Sequence, residues 1–338
     1  MSYYILPTLN VSYNENKKTS FGNTECLNVN DFILNKSFFE YLSSTYDCVK
    51  KNKIDIKKNI ISINRFRNIK CENNQLSNSL SFLTTVEIIN MLKEHIDIPK
   101  TRYTVSNFGR TPIDFIAAFN TIFNSDHVIS YKNSVCVKLN SEKHDLILYT
   151  DSRFEELDYS ELETSHSNNV LILIPDIIRG QTVNGTAVIK VFDLYTSLSS
   201  YILYLLSSAY KNLYIFKPSN DDCGFSEKYI ICCGFRLNDN QITRMIEEIQ
   251  CLIYAAQEFN SGYTDFPSKT KLPFHYISKL NEINAILGQQ SLESVNHTIN
   301  FSNSPKSLSN QSKIDYINKK NNHNLETWCK KHNIMILP

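Results

Sequence analysis

Apolar residues recur along this chain with two periods, and the change between them divides it. Before residue 80 the pattern is mixed. Tyr3–Leu9 and Cys26–Leu34 predict short strands, and Asn35–Tyr46 sets Phe38, Phe39, Leu42 and Tyr46 on one helical face. From about 80 to 240, helical and strand patterns alternate. Ser81–His95 repeats Val86, Ile89, Met91 and Leu92 at helical spacing, and Pro112–Phe123, Thr196–Tyr210 and Gln241–Asn260 predict further helices. Thr101–Ser106, His144–Thr150, Gly185–Asp193, Asn212–Lys217 and Lys228–Phe235 are runs of strand length. Asn169–Arg179 is ambiguous: VLILIPDII has strand composition, but its place between two strands suits a helix. The alternation predicts an α/β fold, a sheet covered by helices.

Turn signals gather over 261–310. Glu293–Ser312 is rich in Ser and Asn and predicts a loop, and Ile314–Ile334 predicts a last helix. The only tryptophan, Trp328, lies there and reads as a packing anchor, with a partner contact as the alternative. The predicted organisation is an N-terminal extension over 1–80, one α/β domain over 81–260 and a C-terminal extension over 261–338.

Length and charge narrow the classes. The 338 residues suffice for a substantial core, with 42% hydrophobic and 20% charged positions. Lys and Arg (35) nearly cancel Asp and Glu (34), which excludes a basic grip on nucleic acid spread over the whole surface. The basic run Lys50–Arg67 reads as a solvated polar face or as a local contact with RNA or an acidic partner. No apolar stretch reaches the roughly 18 residues of a membrane span, and no signal peptide is expected. Nine scattered cysteines without a C-x-x-C pair predict reduced thiols rather than disulfides or zinc, with Cys232-Cys233 as strand core. Glycine is scarce, 8 residues, in a chain where close approach to a phosphate or nucleoside would call for it.

Candidate chemistry sits at strand ends. Lys190 lies in the buried run Gly185–Phe192, and a buried ammonium must find a partner or a use. Glu227 opens the run SEKYIICCGF, and Asp151 follows HDLILYT. Ends of this kind carry the sites of α/β sheets. In order and spacing, Asp151, Lys190 and Glu227 resemble three members of the Lys-Asp-Lys-Glu tetrad of FtsJ-like RNA ribose 2′-O-methyltransferases, with Val188–Phe192 similar to that family's V-x-K-x-F strand and Ser226–Phe235 to its S-E-x-Y-x-V-x-x-G-F hairpin. The resemblance covers roughly 80–240. It implies a Rossmann-type methyltransferase sheet flanked by helices.

The same comparison departs from the family at two places. The family's donor loop, D-x-G-x-x-P-G-G-F, corresponds to Asn107, Phe108, Gly109, Arg110, Thr111, Pro112, Ile113, Asp114 and Phe115. Ile113 and Asp114 replace two glycines, which puts a branched side chain and a carboxylate where S-adenosylmethionine would lie. The helix Ser81–His95, where the family carries its first lysine, has Glu87 or a neighbour at that position.

Three further segments resemble the small, regulatory subunit of poxvirus mRNA-capping enzymes, a degenerate form of this fold. They are Leu6–Ser12 (LPTLNVS), Cys26–Ile33 (CLNVNDFI) and Gly109-Arg110-Thr111, with Val188–Val191 similar to its lysine-bearing strand. The abundance of Asn, 39 residues, beside Ile and Lys fits an AT-rich genome such as that of an insect poxvirus. This resemblance implies a non-catalytic protein with no cofactor, Asp151, Lys190 and Glu227 being vestigial and Asn107, Gly109, Pro112, Ile113 and Asp114 a degenerate loop. It implies a heterodimer with the large catalytic subunit, whose guanine-N7 methyltransferase the small subunit stimulates. It also implies work with the viral RNA polymerase machinery in early termination and intermediate initiation, RNA contact, no membrane, and a place in the virion and host cytoplasm. The alternative on the same residues is an active, S-adenosylmethionine-dependent cap ribose 2′-O-methyltransferase with Lys190 as base.

Overall fold

The computed structural model describes residues 2–7, 26–27, 36–51, 80–95, 102–109, 115, 117–119, 122, 128–133, 142–150, 159–219, 226–258, 266–267, 272–302 and 308–334. In chain order the elements are β1 (Ser2–Leu6), β2 (Cys26–Leu27), α1 (Lys36–Lys51), α2 (Leu80–His95), β3 (Arg102–Gly109), β4 (Val128–Asn133) and β5 (His144–Thr150). Then come α3 (Tyr159–Gly180), β6 (Gln181–Val191), α4 (Ser197–Ala209), β7 (Tyr210–Lys217), β8 (Lys228–Phe235), α5 (Asp239–Glu258), β9 (Phe266–Pro267), α6 (Phe274–Ser302) and α7 (Leu308–His332). Phe115 and Ala117–Phe119 are also helical, inside the predicted helix Pro112–Phe123.

Among the described residues seven strands form one sheet in the order β1-β7-β8-β6-β5-β3-β4, and β2 pairs with β9 apart from it. β4, β3, β5 and β6 run parallel, whereas β8 is antiparallel to both β6 and β7. β1 adds antiparallel to the β7 edge. From β3 the chain goes outward to β4 and then returns to β5 on the other side. The strand order therefore reverses at the β3/β5 boundary, where open α/β sheets bind ligands at their carboxyl ends. The expected α/β class and Rossmann-type sheet are what the chain forms.

Strand alternation divides the core between the two sheet faces. Ile147, Ile189, Ile215, Ile230 and Cys232 pack under α3, α4, α5 and α6. Leu146, Leu148, Val188, Phe216, Ile231 and Cys233 pack on the other face with Val86 and Ile89 of α2 and with Trp328 of α7. Cys232 and Cys233 are buried free thiols, one on each face. Trp328 is buried in that second layer, so it is a packing anchor.

Two sequence readings resolve or change. The ambiguous run over 169–179 is the second half of helix α3, despite Pro175. Val170, Leu171, Ile174, Ile177 and Ile178 are buried at helical spacing while Ile172 stays partly exposed, so period outweighed β-branched composition. The loop predicted over Glu293–Ser312 is instead helix through Ser302, and α7 already begins at Leu308. The buried stripe of Tyr276, Leu280, Ile283, Leu287 and Ser291 continues through Val295 and Thr298, and tertiary burial of that stripe overrides the poor helix propensity of Ser and Asn. Strand β4 had no counterpart in the sequence reading.

Helix α6 crosses α1 closely because Gly288 lacks a side chain. A Cβ there would lie 2.5 Å from Phe38 Cε1 and 2.7 Å from the Tyr195 hydroxyl. Among the described residues no helix is long and apolar enough to cross a membrane.

Candidate functional site

The site is assembled by three neighbouring strands, β7, β8 and β6, at one end of the sheet. Pairing of β6 with β8 sets Lys190 opposite Tyr229, and pairing of β7 with β8 sets Phe216 opposite Tyr229. Residues opposite one another share a face. Glu227, two residues before Tyr229, lies on that same face at the entry to β8. The Lys190 ammonium lies 2.7 Å from Glu227 Oε2. The Tyr229 hydroxyl donates to Glu227 Oε1 at 2.5 Å. Lys190 is buried, and its ammonium stands 5.5 Å from the centre of the Phe192 ring, within cation–π range.

Burial pushes the Glu227 carboxyl up, but the Lys190 charge and hydrogen bond, the Tyr229 hydroxyl and the Lys217 charge outweigh it. They hold Glu227 below the usual carboxylate range. Glu227 is thus an anion beside a buried ammonium, with a quarter of its side chain open to solvent.

Of the other expected site residues, Asp151 directly follows Thr150 of β5 in sequence and lies outside the described residues, as do Pro112, Ile113 and Asp114. Asn107 and Gly109 end β3 at the reversal of strand order. Gly109 pairs with Thr150 of β5, and the Thr150 hydroxyl donates to Asn107 Oδ1 at 3.3 Å. A buried amide and a hydroxyl, hydrogen-bonded to each other, thus lie where open α/β sheets take their ligands.

Glu87, at or beside the position where the resemblance places a lysine, is fully buried on α2. Its carboxylate accepts from the Ser219 backbone N–H at 2.8 Å, the Ser219 hydroxyl and the Trp328 indole N–H. A second ammonium does reach Glu227, but from β7: Lys217 Nζ donates to the Glu227 backbone carbonyl at 2.9 Å. A third, Lys228, pairs with Asp193 and donates to the Ser226 carbonyl at 2.9 Å.

The chain after Lys190 is also pinned. Glu163 of α3 accepts on Oε1 from the Thr196 N–H (2.8 Å), the Thr196 hydroxyl (2.9 Å) and the Ser199 hydroxyl (2.6 Å), which ties α3 to the start of α4. Burial pushes Glu163 up to about 7, against those hydrogen bonds and with help from Asp193.

Sequence reasoning missed Lys217, Lys228, Tyr229 and Glu163. Three of them carried a usable signal, Tyr229 as the tyrosine of the S-E-x-Y-x-V-x-x-G-F resemblance. Lys217 ends NLYIFK and Lys228 begins KYIICCGF, so each is a lysine at the border of a buried strand, the argument that singled out Lys190. Glu163 sits in a polar stretch of α3 and gave no sign of burial. Among the described residues no three His, Cys, Asp or Glu side chains gather as a metal site.

No family model matches the chain. Over 66 residues it is 33% identical to the cap-specific mRNA (nucleoside-2′-O-)-methyltransferase 2 of Drosophila melanogaster, covering 20% of this chain and 9% of that protein. With the protein of the same name from Danio rerio it shares 34% identity over 99 residues, 29% of this chain and 13% of the relative. An uncharacterized protein of Acanthamoeba polyphaga mimivirus is 22% identical over 160 residues, 46% of this chain and 42% of the other. The chain thus spans about a tenth of the length of the two animal relatives. A crystal structure of a ribosomal RNA methyltransferase from Plasmodium falciparum superposes with a TM-score of 0.36 at 12% identity, over 45% of this chain and 96% of that one.

The strand order is that of an open α/β sheet, and the local sequence similarities to methyltransferases support a methyltransferase-like fold. They also correct one expectation. The non-catalytic reading is overturned, because the relatives are named as methyltransferases and point toward an enzyme.

Proposed function

We propose that this chain is an RNA ribose 2′-O-methyltransferase that uses S-adenosylmethionine and acts on capped mRNA. The single observation that carries the reading is the Lys190–Glu227 pair, 2.7 Å apart, with Lys190 on β6 and Glu227 at the entry to the neighbouring β8. The local similarity to cap-specific 2′-O-methyltransferases supports the choice of substrate class.

A ribose 2′-hydroxyl is a weak acid, so its methylation is helped by a base placed within hydrogen-bond reach. Lys190 is that base in its neutral form: its amine takes the hydroxyl proton as the oxygen acquires the methyl group. Glu227 then faces the ammonium produced and stabilises it. Tyr229 holds the other carboxylate oxygen, so Glu227 keeps its aim through the proton transfer. When bound, S-adenosylmethionine supplies the methyl group. Asn107, Gly109 and Thr150, at the crevice between β3 and β5, would hold it. Of the partners implied by the poxvirus resemblance, this function requires RNA, the substrate.

The test is methyl transfer from radiolabelled S-adenosylmethionine to a short capped RNA, followed by digestion and mass spectrometry of the nucleosides. A 2′-O-methylated nucleoside next to the cap is the expected product. No transfer to capped or uncapped RNA, with no donor binding by calorimetry, would overturn the proposal.

A further inference from the structure

Lys217 is the last residue of β7 and is buried. Burying an ammonium is costly, and a methionine would fill nearly the same volume with no charge to desolvate. Its amine donates to the backbone carbonyl of Glu227, at 2.9 Å. Glu227 precedes the first residue of β8, so the β6–β8 and β7–β8 ladders do not include it.

We propose that Lys217 is a positioning residue for Lys190. By holding the Glu227 carbonyl it fixes the backbone from which the Glu227 carboxylate reaches Lys190 on one oxygen and Tyr229 on the other. Lys190 has a flexible four-carbon stem, and its amine needs a fixed anion to stand at one place. The Lys217 charge also adds a small part to the lowering of the Glu227 carboxyl, which Lys190 and Tyr229 chiefly cause, so it acts in the same direction as the backbone contact. Misplacement of a reacting group by about 1 Å can cost about a hundredfold in rate.

This inference rests on the methyl-transfer reading, and the experiment separates the two. Lys217→Met, Lys217→Arg and Lys190→Ala are compared with the full wild-type chain for kcat and KM. In parallel, protein with 15N-labelled lysine side chains shows the Lys190 ammonium by NMR, assigned by its loss in Lys190→Ala. Lys217→Met is expected to lower kcat about 10- to 100-fold with KM for RNA and donor unchanged. It should also move the Lys190 signal from slow into fast exchange with water, while Lys217→Arg recovers part of both. Wild-type kcat and a wild-type Lys190 signal in Lys217→Met would overturn the positioning role and leave the methyl-transfer reading intact. Full transfer by Lys190→Ala, or none by wild type, would overturn that reading instead. The Lys190 signal then decides alone: unchanged in Lys217→Met it refutes positioning, broadened it supports it. Should Lys217→Met fail to fold, Lys217→Gln, whose nitrogen falls one bond short of the carbonyl, is expected to show the same effects in smaller measure. A wild-type result there would refute the role.

Discussion

The Lys190 ammonium lies 2.7 Å from the Glu227 carboxylate although 36 residues separate them along the chain. The antiparallel pairing of β6 with β8 makes the contact, and it fixes what a change at either residue should do.

Lys190→Ala should remove both a base and a buried charge. Loss of general-base catalysis costs roughly 10²–10⁴-fold in rate. Breaking a buried ion pair costs about 3–5 kcal/mol, and the low end applies because Glu227 keeps a quarter of its side-chain exposure. Methyl-transfer assays and urea melts measure the two effects. A stable variant with undiminished transfer would remove Lys190 from the mechanism.

Glu163 gives stability a pH dependence. Its Oε1 accepts three hydrogen bonds, whereas Oε2 is buried with no hydrogen-bond partner, so the proton belongs on Oε2. Its carboxyl is raised from 4.5 to about 7 in the folded chain. The folded state therefore binds the proton more tightly than the unfolded one. This contribution is full below about pH 4.5 and fades as pH rises through 7, by about 3 kcal/mol in all. Glu163→Gln keeps the acceptor and cannot ionise. Melts from pH 4.5 to 8 should show a flatter profile for the variant and greater stability than wild type at pH 8. Parallel profiles would show that Glu163 is not the titrating group.

Glu87→Ala should strand the Ser219 N–H, the Ser219 hydroxyl and the Trp328 indole. An unsatisfied buried donor costs about 1–3 kcal/mol, and partial rehydration brings the sum to about 3 kcal/mol. Trp328 is the only tryptophan, so its fluorescence reports the contact directly. A red shift is expected for Glu87→Ala and little change for Glu87→Gln, which keeps an acceptor. Unshifted emission from the alanine variant would place Trp328 elsewhere.

Gly288→Ala tests the approach of α1 to α6. The added methyl would meet the Phe38 ring and the Tyr195 hydroxyl below 3 Å. Overpacking costs about 1–3 kcal/mol, and the better helix propensity of alanine returns about 1 kcal/mol. Thermal melting should show a net loss of up to about 2 kcal/mol. A raised melting temperature would mean that the helices do not cross this closely.

Much of the scaffold was legible in one dimension. HDLILYT and KYIICCGF are strands with the predicted ends, because a short apolar run with turns on either side leaves few other ways to bury itself. The requirement that Lys190 find a partner was also readable, since the cost of a buried ammonium belongs to its chemistry. Tertiary structure alone decided which partner each buried charge meets. Lys217 ends β7 and Lys228 begins its neighbour β8, yet one holds the Glu227 carbonyl and the other Asp193, because strand order and register place them. Glu87 was noticed only as a missing lysine; that it anchors Trp328 across 241 residues depends on where α7 docks. The Ser/Asn-rich end of α6 is helical for the same reason: local propensity disfavoured it, and packing of Val295 and Thr298 against the body of the fold prevailed.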